Sequence, residues 1–128
     1  MKKITELMRR QADFYAMNGS SLEDIEAAEK ELKLHFAPDY REYARAFGAA
    51  SFAGHELTGV CKAKRLNVVN VTLEERSGRD VPADWYVIEQ AHIDDIVIWQ
   101  NEAGEIFQTG GGDGYTKLCD SLAEYIEL

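Results

Sequence analysis

Residues 93–109 read IDDIVIWQNEAGEIFQT, and this stretch decides the fold class. Two runs rich in β-branched and aromatic residues flank Asn101-Glu102-Ala103-Gly104, which has the composition of a turn. The pattern predicts a hairpin with strands over residues 93–100 and 105–109. Residues 85–91 form a further predicted strand upstream, and residues 54–60 a shorter one. Strands joined by short connections predict an antiparallel sheet.

Helical spacing dominates outside these strands. Predicted helices cover residues 2–17 and 22–34, another helix starts at Pro38 and ends at Gly48, and a last one follows Ser121. Residues 66–76 fit either a strand or a helix, and we prefer the helix because 73–76 continue it and Ser77-Gly78 end it. Ser20-Ser21 and Ser121 each precede an acid by three residues, which is typical of a helix start. We therefore predict an α+β domain in which helices cover one face of a sheet of about four to six strands.

Length and composition indicate a single domain over residues 1–128, with residues 1–19 as a helical extension and 20–127 as the core. The chain has 128 residues, 45% of them hydrophobic, which is ordinary for one globular unit. It has no apolar run near the ~20 residues that span a bilayer, and the N-terminus lacks a signal-peptide core. We expect a cytoplasmic protein. Its two distant cysteines, Cys61 and Cys119, do not suggest a disulfide framework.

The net charge of −9 comes almost entirely from one segment. Residues 80–116 hold eight acids and no Lys or Arg, whereas the rest of the chain has 15 acids against 14 bases. Such a segment disfavours nucleic acid and anionic lipid and favours a basic protein partner. An acidic face kept only for solubility is the competing interpretation.

No pattern of residues indicates catalysis, a cofactor or a metal. The glycine cluster at 110–114 lacks the Lys-Ser/Thr ending of a phosphate loop, so it predicts a flexible connector. Asp94 and Asp95 fall within a predicted strand, where neighbours point to opposite faces, so we expect a bulge or a guarded edge there and not a catalytic pair. His35, His55 and His92 lack metal-ligand spacing. We expect no enzyme.

A partner-binding surface is the remaining candidate site. Trp85 and Trp99 fall inside the acidic segment, and an exposed tryptophan ringed by carboxylates is a plausible interface anchor. Aromatic residues on strands nevertheless fill a core more often than they bind a partner. The candidate partner-binding residues are Asp80, Asp84, Trp85, Glu89, Asp95, Trp99 and Glu102.

The stretch from Ile25 to Gly59 resembles a known family. Its elements are Ile25-Glu26…Glu31-Leu32, then Pro38-Asp39-Tyr40, Phe47-Gly48 and the glycine-bounded Gly54–Gly59, with a closing Ser-Leu-x-Glu-Tyr-Ile helix. This is similar to the SUKH superfamily, which includes the yeast Smi/Knr cell-wall regulators and many bacterial immunity proteins. The resemblance covers residues 20–127, although Ala37 stands where the family often has Leu. It implies an α+β fold, a protein-binding role and no catalytic residues.

Three functions remain open from the sequence. The first is an immunity protein that neutralises a cognate toxin, a role the resemblance implies; the toxin would be a basic protein acting on nucleic acid. The second is an intracellular scaffold or regulator of the Smi/Knr type, and the third is a small-ligand binder, which needs a deep pocket with converging polar groups. We expect no nucleic acid or membrane partner, and a monomer or weak homodimer.

Overall fold

A computed structural model describes residues 3–110 and 114–128 as one antiparallel sheet with helices on it. The sheet order is β1-β2-β3-β4-β5-β6-β7, so every strand pairs with its neighbours in the chain. The elements are α1 (Ile4–Arg9), β1 (Tyr15–Asn18), α2 (Leu22–Leu32), α3 (Pro38–Ala46), β2 (Phe47–Phe52), β3 (His55–Leu57), α4 (Val68–Arg76), β4 (Tyr86–Gln90), β5 (Val97–Gln100), β6 (Ile106–Thr109), β7 (Tyr115–Cys119) and α5 (Leu122–Glu127). The predicted single-domain α+β class is confirmed.

Side chains from both faces of the central strands are buried. Because successive strand residues alternate between faces, Tyr86 and Ile88 of β4 join a large cluster with the helices, while Val87 points to a second cluster. The second cluster contains Val71, Trp85, Val87, Val97, Trp99 and Phe107. Val71 belongs to α4, so the prediction that helices cover only one face is wrong.

The predicted helix over residues 2–17 is also wrong in its second half. It ends at Arg9, and β1 pairs antiparallel with β2, bringing Ala16 opposite Ala50. Ile4, Leu7 and Met8 of α1 lie in the same core as the later helices. The sheet has seven strands within the described residues, because β1, β2 and β7 add to the four foreseen strands.

Gly48 does not end α3 in the left-handed conformation as predicted. The helix ends at Ala46, and Gly48 lies inside β2, where an added Cβ would come 2.5 Å from the Asn18 carbonyl oxygen. The glycine therefore allows β1 and β2 to approach closely.

The predicted helix starts are confirmed. Ser21, and not Ser20, caps α2, because its Oγ accepts from the Asp24 amide at 3.0 Å. Ser20 donates its hydroxyl to the Val60 carbonyl instead. Pro38 stands in the first turn of α3, and Ser121 Oγ accepts from the Glu124 amide at 3.1 Å.

Asp94 and Asp95 lie in the β4–β5 turn and not in a strand. β5 starts only at Val97, and His92, Asp94 and Asp95 all have positive φ, between 52° and 58°. Of the predicted glycine-rich connector at 110–114, residues 111–113 lie outside the described residues.

Candidate functional site

The two tryptophans of the predicted binding surface lie in the interior. Trp85 is 3% exposed and stacks on Phe107 with ring centroids 4.4 Å apart. Trp99 is fully buried, and its indole Nε1 donates to Thr109 Oγ1 at 2.8 Å. Neither ring can reach a partner in this fold, so the expectation that they are exposed anchors is wrong.

Glu89 is buried as well, on the helix-facing side of β4. Its carboxylate accepts from His55 Nδ1 at 2.9 Å, from the Glu56 amide at 3.0 Å and from the Tyr125 hydroxyl. Burial, followed by the charge of Glu89, raises the pKa of Tyr125, which keeps the phenol protonated as a donor. Three donors compensate the buried carboxylate, so Glu89 fixes β3, β4 and α5 together.

The remaining acids of the predicted surface divide between the two ends of the β4–β5 hairpin. Asp84 and Glu102 lie at the end where β4 starts, with the Glu102 amide donating to Asp84 Oδ2 at 3.3 Å. Glu102 Oε2 accepts from the His35 amide at 2.6 Å. Glu102 therefore ties the β5–β6 turn to the loop after α2, and Asp84 ties the same turn to the start of β4.

Asp80 and Asp95 lie at the opposite end, around Arg79. The Arg79 guanidinium contacts Asp95 at 2.9 Å and Glu75 at 3.4 Å, and it donates to Thr109 Oγ1 at 3.3 Å. These residues, together with Asp80 and Tyr115, line an open cleft of about 560 Å³. One partly buried cation, Arg79, thus lies among the acids Glu75, Asp80 and Asp95, so the cleft keeps a negative balance.

The β4–β5 turn beside this cleft exposes an apolar side chain. Ile93 is 61% exposed, between His92 and Asp94, which both have positive φ. A non-glycine residue in that region costs on the order of 1 kcal/mol, and such strain is often retained at functional positions. The turn holds Ile93 outward next to two exposed carboxylates.

Tyr115 is the second exposed apolar side chain at this end. It is 61% exposed, yet its ring packs edge-on against Trp85 at 5.0 Å and against Phe107 at 5.6 Å. The β4–β5 and β6–β7 connections leave the sheet at the same end, because the four strands alternate in direction. Tyr115 is therefore an exposed aromatic side chain that two buried rings hold in place, at the same end of the sheet as Asp95.

The structure thus brings together only part of the predicted set. We define the acidic end as Asp80, Ile93, Asp94, Asp95 and Tyr115. Ile93 and Tyr115 were not among the predicted binding residues, because both are residue types that usually lie in a buried strand. The sequence signal for Ile93 is its position between His92 and a pair of aspartates.

The cysteines do not have the environment of nucleophiles. Burial is the largest influence on both thiols and raises the pKa of Cys61 and of Cys119. Within residues 3–110 and 114–128, no group of three or more His, Cys, Asp or Glu side chains is placed to hold a metal ion. Over the same residues, no helix has the length and apolar character needed to cross a bilayer.

The Pro-Asp-Tyr segment at the start of α3 connects distant parts of the chain. The Asp39 carboxylate accepts from Gln100 Nε2 at 3.0 Å and from the Leu122 amide at 2.8 Å, so it links β5 to the first turn of α5. Tyr40 hydrogen-bonds Thr58 Oγ1 at 2.9 Å.

The family model SUKH_5, described as SMI1-KNR4 cell-wall, matches residues 1–127. The chain belongs to the SMI1-KNR4 family. The resemblance predicted from residues 20–127 is therefore confirmed. No curated protein matches the chain.

The residues that suggested this SMI1-KNR4 domain in the sequence are structural in the fold. Besides Asp39 and Tyr40, buried Glu29 of α2 accepts from the Phe36 amide at 2.7 Å and lies 3.7 Å from Arg41. They hold the helices to the sheet, and the residues of the acidic end lie outside this motif.

Proposed function

We propose that this SMI1-KNR4 domain is an immunity protein that binds and neutralises a basic toxin through its acidic end. The observation that carries the proposal is that two exposed apolar side chains, Ile93 and Tyr115, lie at the same end of the sheet as the exposed carboxylates of Asp80, Asp94 and Asp95. Interface hot spots are apolar or aromatic anchors, and surrounding charges set the association rate and the choice of partner.

The distribution of charge supports a basic partner. Residues 68–128 carry 13 acids and 3 bases, whereas residues 1–67 carry 10 acids and 11 bases. A field this asymmetric orients an approaching positive protein toward one side of the molecule. Toxins that act on nucleic acid carry a basic substrate surface, which the acidic end would cover. The proposed site of action is the cytoplasm.

The partner test is co-expression with the product of the neighbouring gene, followed by co-purification and kinetic measurement of binding. Asp80→Asn with Asp94→Asn should lower the association rate about tenfold at low salt. Asn tolerates the left-handed region, so the turn at position 94 should survive. Glu124→Gln with Glu127→Gln removes the same charge from exposed positions on α5 and is the matched control.

The apolar anchors are tested separately. Ile93→Ala and Tyr115→Ala should each cost about 1–2 kcal/mol in affinity, mainly through faster dissociation. Equal losses in the α5 control, or no loss in the acidic-end variants, would contradict this surface.

The second candidate function is an intracellular scaffold or regulator. The description of the matching family as SMI1-KNR4 cell-wall favours it. It predicts that the domain binds a partner needed for normal growth. It also predicts that producing the domain together with the neighbouring gene product does not prevent that product from killing cells.

A further inference from the structure

We propose that β7 takes up an extended basic segment of the toxin as a further strand of the sheet. Tyr115, the first residue of β7, belongs to the acidic end, so the edge of this strand continues the proposed toxin surface. The inference rests on the proposed function and adds how the partner docks, which is by main-chain hydrogen bonds along one edge of the sheet.

The outer side of β7 is open in the part of the chain that the structure describes. The sheet order ends at β7, which pairs with β6 on one side. Among residues 3–110 and 114–128, no backbone group hydrogen-bonds the other side of the strand. An edge of this kind can template the pairing of another chain.

The first three residues of β7 have the exposure and the regularity that pairing requires. Tyr115, Thr116 and Lys117 are all exposed. They pair in regular register with β6, because the one irregularity of this ladder lies beyond Lys117, before Cys119. Aromatic and β-branched residues such as Tyr115 and Thr116 also favour the extended conformation.

Acids outnumber bases at the start of the strand. The cleft that Tyr115 lines contains three acids and one base, namely Glu75, Asp80, Asp95 and Arg79. The Arg79 guanidinium is already ion-paired, with Glu75 at 3.4 Å and with Asp95 at 2.9 Å. This part of the edge therefore keeps a negative charge.

The same holds further along the strand, at Lys117. Its Nζ lies 2.7 Å from a Glu105 carboxylate oxygen and 2.6 Å from one of Asp120, so two carboxylates surround a single ammonium. Lys117 is also the only Lys or Arg in residues 80–128, against eleven acids. Both ends of the edge are thus negative, and charge complementarity selects a basic occupant.

A second copy of this chain fits the edge less well. Two β7 edges paired about a two-fold axis would bring two acidic surfaces together, and each chain has a net charge of −9. A five-residue strand also contributes little of the ~1,000 Å² that a stable protein–protein interface buries. Addition of a single segment needs no such area, because main-chain hydrogen bonds provide the affinity.

The test uses a capped ten-residue peptide of alternating lysine and threonine as the probe, titrated to millimolar concentration into the ¹⁵N-labelled chain. The amide resonances of residues 115–119 should shift most, and a matched glutamate–threonine peptide should leave them in place. Shifts confined to the β4–β5 turn, or no shift in β7, would overturn the proposal.

Main-chain pairing is tested with a second probe that has the same sequence and charge but is N-methylated at every residue. This probe has no N–H donors, so it should no longer shift the β7 amides if strand addition is the mode of binding. Equal shifts with both probes would mean attraction by charge alone and would contradict strand addition.

Charge selection is tested with two double variants. Glu105→Gln with Asp120→Asn leaves Lys117 without its carboxylates and should weaken binding of the lysine–threonine probe about two- to fivefold for each charge removed. Glu26→Gln with Glu31→Gln removes the same charge from exposed positions of α2, whose clefts include no β7 residue, and should leave binding unchanged. Equal weakening by the two variants would refute the selection of a basic occupant at this edge.

The probe titration needs no toxin, so its outcome is separate from that of the co-purification. If the neighbouring gene product co-purifies but the probe leaves β7 unmoved, strand addition fails and the proposed function stands. If the probe binds β7 but the product does not bind, the edge site is supported and the toxin assignment fails.

Discussion

The two outer strands of the sheet both start with an exposed tyrosine, yet they differ in what supports and guards them. Tyr115 of β7 packs on Trp85 and Phe107, and Lys117 two residues later is held by Glu105 at 2.7 Å and by Asp120 at 2.6 Å. Tyr15 of β1 lies outside both hydrophobic clusters, and β1 has no charge. The β7 edge therefore carries an ion-paired lysine and rests on a hydrophobic cluster, whereas the β1 edge has neither.

The largest expected effect comes from the second hydrophobic cluster, which supports Tyr115 of β7 but not Tyr15 of β1. Trp99→Ala should destabilise the domain by about 3–5 kcal/mol, because it empties the second cluster and removes the donor to Thr109. Denaturant unfolding followed by circular dichroism measures this loss. Leu73→Ala, at a half-exposed position on α4, should stay within about 0.5 kcal/mol. A stable Trp99→Ala would contradict its burial.

A smaller loss is expected on the side of β1. Gly59→Ala should cost about 1–3 kcal/mol, because an added Cβ would stand 1.6 Å from the Gly48 carbonyl oxygen and force β2 to move. Gly78→Ala is the control: nothing lies within 4 Å of its Cβ position, so only the positive φ of 80° opposes the change. Equal unfolding midpoints for the two variants would show that the close approach at Gly59 relaxes freely.

The pair of tyrosines measures the difference between the edges directly. Tyr115→Ala should lose about 0.5–1.5 kcal/mol from its two aromatic contacts, whereas Tyr15→Ala should change the free energy of unfolding by less than about 0.5 kcal/mol. Both are compared by urea denaturation at one pH. Equal losses would mean that the edges are supported alike.

The smallest effect concerns Lys117. Its hydrogen bond to Glu105 lowers the pKa of that carboxyl below its ordinary value of 4.5, so the pairing stabilises the fold above that value and is lost as pH falls through the lowered pKa. In Lys117→Ala, the pKa of Glu105 measured by NMR titration should rise toward the ordinary value. The unguarded β7 should also self-associate more readily in sedimentation velocity runs. Lys30→Ala is the control for removing a surface lysine.

The sequence predicted the central strands, the helix caps and the family, since these depend on local spacing. The turn over 101–104 and the cap at Ser121 confirm that local patterns are sufficient where a residue's partners are near in the chain. β1 and β2 were beyond such patterns, because Tyr15–Asn18 overlap the end of one predicted helix and Phe47–Phe52 the end of another. They become strands by pairing with each other and, for β2, also with β3. The same holds for the site: no local signal distinguishes buried Trp85 from exposed Tyr115.

The amino-acid sequence is sufficient to identify one α+β domain of the SMI1-KNR4 family and to place its negative charge in the second half of the chain. Only the tertiary structure decided which carboxylates remain exposed together, because strand direction sends Asp84 and Asp95 to opposite ends and burial removes Glu89. Periodicity is a property of neighbours in the chain, whereas a surface is formed by residues that pairing brings together from distant positions.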